Sequence, residues 1–365
     1  MFLIVTRSFP PDIGGMQILM GGLSESLLNH GPVKVFAYDS ENSKSYDNNS
    51  EINIERVKGL KLFRKYRKAN LVNEFLNKNP HIRATITDHW KSLELLKEES
   101  LKKTKTFCLL HSKEINHEKG TTLNKRMIAS TRKADFIIAN SNFTKNLAIK
   151  LGMNASKIHV IFPGIKKPRA IDKIYMDEAE KIFEESFPKI ITVARLDKRK
   201  GHDKILMSIK NLKVKFPKIK YICIGFGEEE KNLIKLSKQL ELDNQVVFLK
   251  DIEENLKIAL IKYSNLFLMP SRIEKKSVEG FGISFIEAAS YGVGSIGGKD
   301  GGASDAIINN KTGFICDGNE LSSIHDTIIN FFTDNKFSQF GDEAKKFSEN
   351  FYWDKVVKNY LRLIN

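Results

Sequence analysis

A chain of 365 residues is too long for one comfortable hydrophobic core and is expected to form about two domains. Its formal net charge of +15 calls for an acidic partner, whether nucleic acid, anionic lipid or a phosphorylated ligand, and composition alone does not choose among them. Cys108, Cys223 and Cys316 lie too far apart for a disulfide framework or a zinc site, and no apolar run reaches the roughly 20 residues of a membrane span, so a cytoplasmic protein with buried free thiols is expected.

Strand patterns then follow one another along the chain, separated by helical stretches. The first half reads as strands at residues 1–6, 33–37, 52–57, 84–87, 107–110, 136–139 and 159–162. Pro163-Gly-Ile-Lys-Lys-Pro168 suits a hinge, and a polar helical stretch runs from Asp177 to Glu185. The second half reads as strands at 189–193, 221–225, 245–249, 266–269, 294–297 and 313–316, and the last segment, from Phe351, has apolar residues at helical spacing. Such alternation marks stacked βαβ units with parallel sheets, so the fold class is α/β. The expected domains are 1–165, 166–345 and a final helical piece at 346–365.

The loops between these elements carry chemistry. After the first strand, Arg7-Ser-Phe-Pro-Pro-Asp-Ile-Gly-Gly-Met-Gln17 enters a helix through Gly14 and Gly15, offering backbone N–H groups to an anion without side-chain bulk. It lacks the third glycine and the acidic residue of a dinucleotide fingerprint, which argues against a nicotinamide-dependent oxidoreductase. Next, the cations Lys61, Arg64, Lys65, Arg67 and Lys68 interleave with Leu60, Leu62, Phe63 and Tyr66. This is either a solvated helix packing its apolar residues inward or a segment lying on an anionic membrane. Thr87-Asp-His-Trp90 and His111-Ser-Lys-Glu114 each close a strand at its carboxyl end, where doubly wound sheets bind ligands.

In the second half, Arg195 and Lys200 flank the loop Arg195-Leu-Asp-Lys-Arg-Lys-Gly201. A guanidinium fork and an ammonium suit a diphosphate without a metal ion, while Lys198 and Arg199 read as solvated neighbours. Gly225 and Gly227 form a Gly-x-Gly turn that is equally an ordinary βα turn, and Lys250 follows the strand Val247-Phe-Leu249. The densest signal runs from Pro270-Ser-Arg272 to Glu287, where Glu279 and Glu287 stand eight positions apart around Gly280-Phe281-Gly282-Ile283. Two carboxylates can accept hydrogen bonds from sugar and ribose hydroxyls, and N–H groups at a helix start favour phosphate.

On these residues the chain resembles the retaining GT-B glycosyltransferases of family four, the glycosyl transferases group 1. Val278-Glu-Gly-Phe-Gly-Ile-Ser-Phe-Ile-Glu-Ala-Ala289 and Gly301-Gly-Ala-Ser-Asp-Ala306 are most similar to the phosphatidylinositol mannosyltransferases. The resemblance implies two doubly wound Rossmann-like domains facing across a cleft, with the final helix crossing back to the first. It implies transfer of a hexose, mannose first among them, from a nucleoside diphosphate sugar such as GDP-mannose to a lipid-linked or glycan acceptor, with no cofactor or metal required. Arg195 and Lys200 would stabilise the departing diphosphate, Glu279 would hold the sugar, Glu287 the ribose, and His111 would contact the transferred sugar. Gly14, Gly15, Gly225, Gly227, Lys250, Gly280, Phe281, Gly282 and Ile283 would line the donor.

In lipid-acceptor relatives a basic amphipathic segment at the position of Lys61–Lys68 attaches the enzyme to anionic membrane, so peripheral attachment at the inner membrane face is implied here. The chain departs from the family pattern at Ser112 and Lys250, where glycine is usual, and at Glu228 and Gly294, where proline is. Two other readings stand beside this one. A silent relative would bind donor without turning it over. A basic nucleic-acid-binding protein fits the charge, but no stacking platform or binding motif is present, and nucleic acid is not expected as a partner.

Overall fold

The first strand, β1 (Phe2–Val5), is an unbroken apolar run because both faces of its sheet are covered, and all four residues are buried. The computed structural model describes residues 1–365, and the chain divides into two units, Met1–Lys166 with Phe351–Asn365, and Lys167–Asn350. The first unit holds β1, β2 (Val33–Tyr38), β3 (Asn53–Val57), β4 (Ala84–Thr87), β5 (Lys105–Leu110), β6 (Phe136–Ala139) and β7 (Ile158–Val160). They form one parallel sheet in the order β3-β2-β1-β4-β5-β6-β7. Side chains of a strand alternate between faces, so Leu3 and Val5 join one core with Val72, Trp90 and Cys108, while Phe2 and Ile4 join another with Leu23, Phe107 and Tyr360.

The C-terminal helix Trp353–Ile364 belongs to this first unit. Ile165 exchanges backbone hydrogen bonds with its approach, donating to Phe351 O at 2.8 Å and accepting from Trp353 N at 3.1 Å. Trp353, Val356, Val357 and Tyr360 then bury themselves in the second of the two cores. The Trp353 indole lies where side chains at Gly22 and Gly164 would otherwise stand.

The second unit holds β8 (Lys189–Val193), β9 (Lys220–Ile224), β10 (Val246–Leu249), β11 (Leu266–Met269), β12 (Ser295–Gly298) and β13 (Gly313–Cys316). Its parallel sheet has the order β10-β9-β8-β11-β12-β13. The expected polar helix is present at Lys173–Phe183, and β7 starts and ends earlier than its apolar pattern suggests, within the ordinary fraying of element ends. All three cysteines are buried and unpaired, and burial pushes each thiol up to about 12. In both sheets the strand order reverses direction beside the first strand of the unit, between β1 and β4 and between β8 and β11. Such switch points leave a crevice at the carboxyl ends of the strands, the usual ligand position in open α/β sheets.

Candidate functional site

In the second unit the loops after β8 and β11 meet at that crevice. From β8 the chain passes Arg195 and Asp197 into the short turn Lys198–Lys200, closed by the Lys200 N–H donating to Asp197 O at 3.1 Å, and then starts the helix His202–Leu212. Gly201 packs against the Pro270 carbonyl, which fixes the two loops to each other. From β11 the chain reaches Glu279, whose carbonyl accepts the Gly302 N–H at 2.9 Å.

Glu279 Oε2 accepts from both Lys200 Nζ and Arg199 Nη1, the latter at 2.6 Å, and Arg199 Nη2 stands 3.6 Å from Asp197 Oδ2. Four charges of alternating sign therefore line up as Asp197, Arg199, Glu279 and Lys200, with the Arg199, Glu279 and Lys200 side chains only 13%, 12% and 10% exposed. Burial works against the Glu279 carboxylate, but the Lys200 and Arg199 cations outweigh it and hold the carboxyl down at about 2. Burial lowers the Lys200 ammonium from its ordinary value, and Glu279 opposes that. Asp197 Oδ1, Arg199 Nε and Ser271 Oγ are buried here without a hydrogen-bond partner. Unmet polar atoms are costly, and these three leave hydrogen-bonding capacity open in the two loops.

The structure corrects the reading of Arg199, which is no solvated neighbour but a largely buried partner of Glu279. Arg195 is exposed, and its carbonyl accepts from His202 Nε2 at 3.2 Å. His202 Nδ1 then stands 3.4 Å from the Cys223 thiol and 3.1 Å from the Tyr221 hydroxyl, which donates to Thr192 Oγ1 at 3.0 Å. Burial lowers His202 to about 4, so a neutral imidazole props up the Arg195 backbone. The sequence reading assigned nothing to His202, although its place directly after Gly201 was a signal.

Gly225 and Gly227 lie in the turn after β9, packed on the Ala194 and Leu196 carbonyls, so the sheet itself requires both. Gly282 caps the helix Ile283–Ser290 with φ +89°, a left-handed conformation in which other residues are strained. Gly280 and Ile283 are half-buried beside it, whereas the Phe281 ring is buried, so only its backbone can face a ligand. Burial raises the Glu287 carboxyl, Lys257 opposes that and Glu254 adds to it. Lys250 stands on the surface, 3.1 Å from Glu230.

The first unit carries its own charged cluster at the switch point between β1 and β4. Asp88, fully buried after β4, accepts from Thr6 Oγ1 at 3.0 Å and from the Arg7 N–H at 2.9 Å, and its Oδ1 has no partner. Arg7 reaches Glu114 at 3.3 Å, and His89 Nε2 stands 3.1 Å from the same carboxylate while its Nδ1 accepts from Lys91 N–H. Burial raises Glu114 to about 7, with Arg7 opposing it. His111 donates from Nε2 to the Asp88 carbonyl at 3.2 Å, and burial lowers it to about 4. Arg7 and Asp88 escaped the sequence reading as individual residues.

Gly14 caps and Gly15 opens the helix Gly15–Leu28, and neither has a left-handed φ. A side chain at Gly15 would meet nothing within 4 Å and one at Gly14 only the flexible Gln17, so the turn by itself does not demand glycine. The Lys61–Lys78 helix divides its cations. Lys61, Lys65 and Arg67 are exposed and Arg64 half-buried, but Lys68 is buried, donating to Thr6 O at 2.7 Å. Lys68 is therefore no membrane-facing residue: it shares the buried face with Ala69, Val72 and Leu76. Burial lowers its ammonium to about 8.

Known proteins match along most of the chain. Residues 13–167 match glycosyltransferase family 4 and residues 176–352 match the glycosyl transferases group 1. An uncharacterized glycosyltransferase of Methanocaldococcus jannaschii is 29% identical over 64% of this chain and 58% of its own length. The GDP-mannose-dependent alpha-(1-6)-phosphatidylinositol monomannoside mannosyltransferase of Mycolicibacterium smegmatis is 30% identical over 38% of this chain and 36% of its own length. The chain thus matches less than two thirds of either relative. Among solved structures, Anabaena HepE in complex with UDP superposes with a TM-score of 0.82 at 17% identity, covering 100% of this chain and 99% of that one. Paired family matches in the expected order, on two Rossmann-like units, place the chain among the glycosyltransferases of family 4, glycosyl transferases group 1.

Proposed function

We propose that this protein is a retaining glycosyltransferase that moves a hexose from a nucleoside diphosphate sugar to the hydroxyl of a lipid-linked or glycan acceptor. The observation that carries this reading is the buried row of Arg199, Glu279 and Lys200 at the β8/β11 switch point, a cationic pair beside a hydroxyl-accepting carboxylate. Mannose and GDP are the favoured sugar and nucleotide, on the strength of the mycobacterial relative, with UDP-hexoses as the competing donors.

In this reading Arg195 and Lys200 take up the charge that develops on the departing diphosphate, the main catalytic effect. The acceptor oxygen bonds to the anomeric carbon from the leaving-group face as the bond to the β-phosphate oxygen breaks, and the hydroxyl proton passes to that phosphate oxygen. No enzyme nucleophile is needed. Glu279 accepts from sugar hydroxyls and Glu287 from the ribose, with N–H groups around Gly282 and Ile283 on the phosphates. Gly14 and Gly15 leave room for a ligand to approach backbone, and His111 is the residue the family resemblance assigns to the transferred sugar.

Thermal-shift and donor-hydrolysis assays against GDP-mannose, UDP-glucose, UDP-galactose and UDP-N-acetylglucosamine test this. One donor at a hundred times its dissociation constant should stabilise the protein by about 2.7 kcal/mol. Slow sugar release should accompany it and vanish in Lys200→Ala. Absence of any nucleotide effect would overturn the reading, and stabilisation without turnover would favour the silent relative.

The lipid form of the acceptor is favoured by one surface. Leu60, Leu62, Phe63 and Tyr66 are 74%, 73%, 60% and 50% exposed, so they do not pack inward as a solvated helix would have them. Exposed Lys61, Lys65 and Arg67 surround them, and each basic residue near acidic lipid contributes about 1 kcal/mol. No helix is long and apolar enough to cross a membrane. Vesicles containing phosphatidylinositol should bring down the wild type at low salt and release Leu62→Ser/Phe63→Ser, and equal recovery of both would remove the membrane from the proposal.

A further inference from the structure

We propose that Arg199 is a positioning residue, the standing counter-ion that keeps the Glu279 carboxylate charged and in place when Lys200 turns to the diphosphate of a sugar nucleotide. This rests on the donor-site reading above and deepens it. Without ligand, Lys200 and Arg199 compete for one oxygen, Glu279 Oε2. Lys200 has a flexible stem and a compact ammonium, the side chain that can swing to a phosphate. Its departure would leave a buried carboxylate unpaired, and such a group takes up a proton and becomes a poorer acceptor for sugar hydroxyls.

Arg199 prevents this, because a guanidinium does not lose its proton in proteins. Its own position is held from the far side by Asp197 at 3.6 Å and through its backbone, where Arg199 O accepts the Arg272 N–H at 2.9 Å. Other charges near the row are committed elsewhere. Arg272 pairs with Asp203 at 2.9 Å, Lys299 with Asp317, and Asp300 accepts from Ile273 N–H and Asn319 Nδ2. His202 is neutral and engaged by Arg195 O and Tyr221. Of the two cations paired with Glu279, Arg199 is therefore the one that remains when Lys200 turns away.

The sign of the pH effect follows. In the wild type the Lys200 and Arg199 cations hold the Glu279 carboxyl well below the ordinary carboxylate range, and when Lys200 turns away Arg199 still favours the charged form, so no acid limb from this group is expected near neutral pH. In Arg199→Gln, donor binding removes the remaining partner, burial then acts on the carboxyl unopposed, and the group should titrate above the ordinary carboxylate range, giving an acid limb in the donor-bound profile. The assay is nucleotide-sugar turnover against pH for wild type, Arg199→Gln and Arg199→Lys, with the affinity for the free nucleoside diphosphate measured by thermal shift. Expected are a new acid limb for Arg199→Gln, along which kcat falls about tenfold per pH unit, nearly unchanged nucleoside diphosphate affinity, and a return toward the wild-type profile in Arg199→Lys. A wild-type pH profile in a folded Arg199→Gln overturns the proposal, as does equal loss in the glutamine and lysine variants at every pH. If the wild type turns over no donor at all, the donor-site reading itself has failed, and that outcome is read from the wild type alone.

Discussion

Glu279→Ala should abolish turnover and destabilise the fold at the same time. The catalytic loss follows from removing the carboxylate proposed to hold the sugar, and loss of a single preorganised polar contact in a transition state costs about 10²–10³-fold. The stability loss follows from what remains. Lys200 and Arg199, both largely buried, would face each other with no anion between them. Removing one partner of a buried pair typically costs about 3–5 kcal/mol, because it leaves an uncompensated charge rather than only a lost contact. Deprotonation of Lys200, whose ammonium is already weakened by burial, offers partial relief.

The same pair sets a pH window. A carboxyl held at about 2, against the ordinary 4.5, gives its stabilisation in full above the ordinary value and loses it as pH falls toward 2. The gap between wild type and Glu279→Gln in denaturant midpoint should therefore be widest near neutrality and close in acid. Equal stability of wild type and Glu279→Ala at pH 7 would show that the ion row contributes nothing in solution.

Much of this site was legible because its chemistry is local. Glu279, the glycine turn and the helix start sit in one short stretch after an apolar strand, and Lys200 has the same context. Arg199 was not legible, since a cation within Lys198-Arg-Lys200 looks solvated, and what changes it is an acid 80 residues away in sequence. Lys68 failed for a different reason. A run of five cations suggests one exposed surface, yet helical periodicity puts Lys68, Val72 and Leu76 in one row, and Val72 and Leu76 are core residues. Attention to the period rather than the charge would have turned that lysine inward. Asp88 was hidden by burial, for a fully buried acid after a strand is intelligible only once Thr6 and Arg7 are beside it.

Trp353→Ala should be among the most damaging changes outside the candidate site, costing about 3–5 kcal/mol, the range for removing a large buried aromatic ring. Trp353 is 8% exposed, and its indole fills the space left by the missing side chains of Gly22, on the helix Gly15–Leu28, and Gly164, next to Ile165. Its backbone is tied in as well, with Trp353 O accepting from Ser26 Oγ at 3.2 Å. A single side chain thus joins the first helix, the end of the first unit's main segment and the returning C-terminal helix, which explains why the chain's last residues count with its first 166. The coupling can be measured. Gly22→Ala alone should destabilise by forcing the indole out of its seat, but in a Trp353→Ala background the added methyl enters empty space, so the double variant should be less damaged than the sum of the singles. Urea denaturation of the four proteins gives the cycle, and additive losses would mean that the indole does not rest on Gly22 in solution.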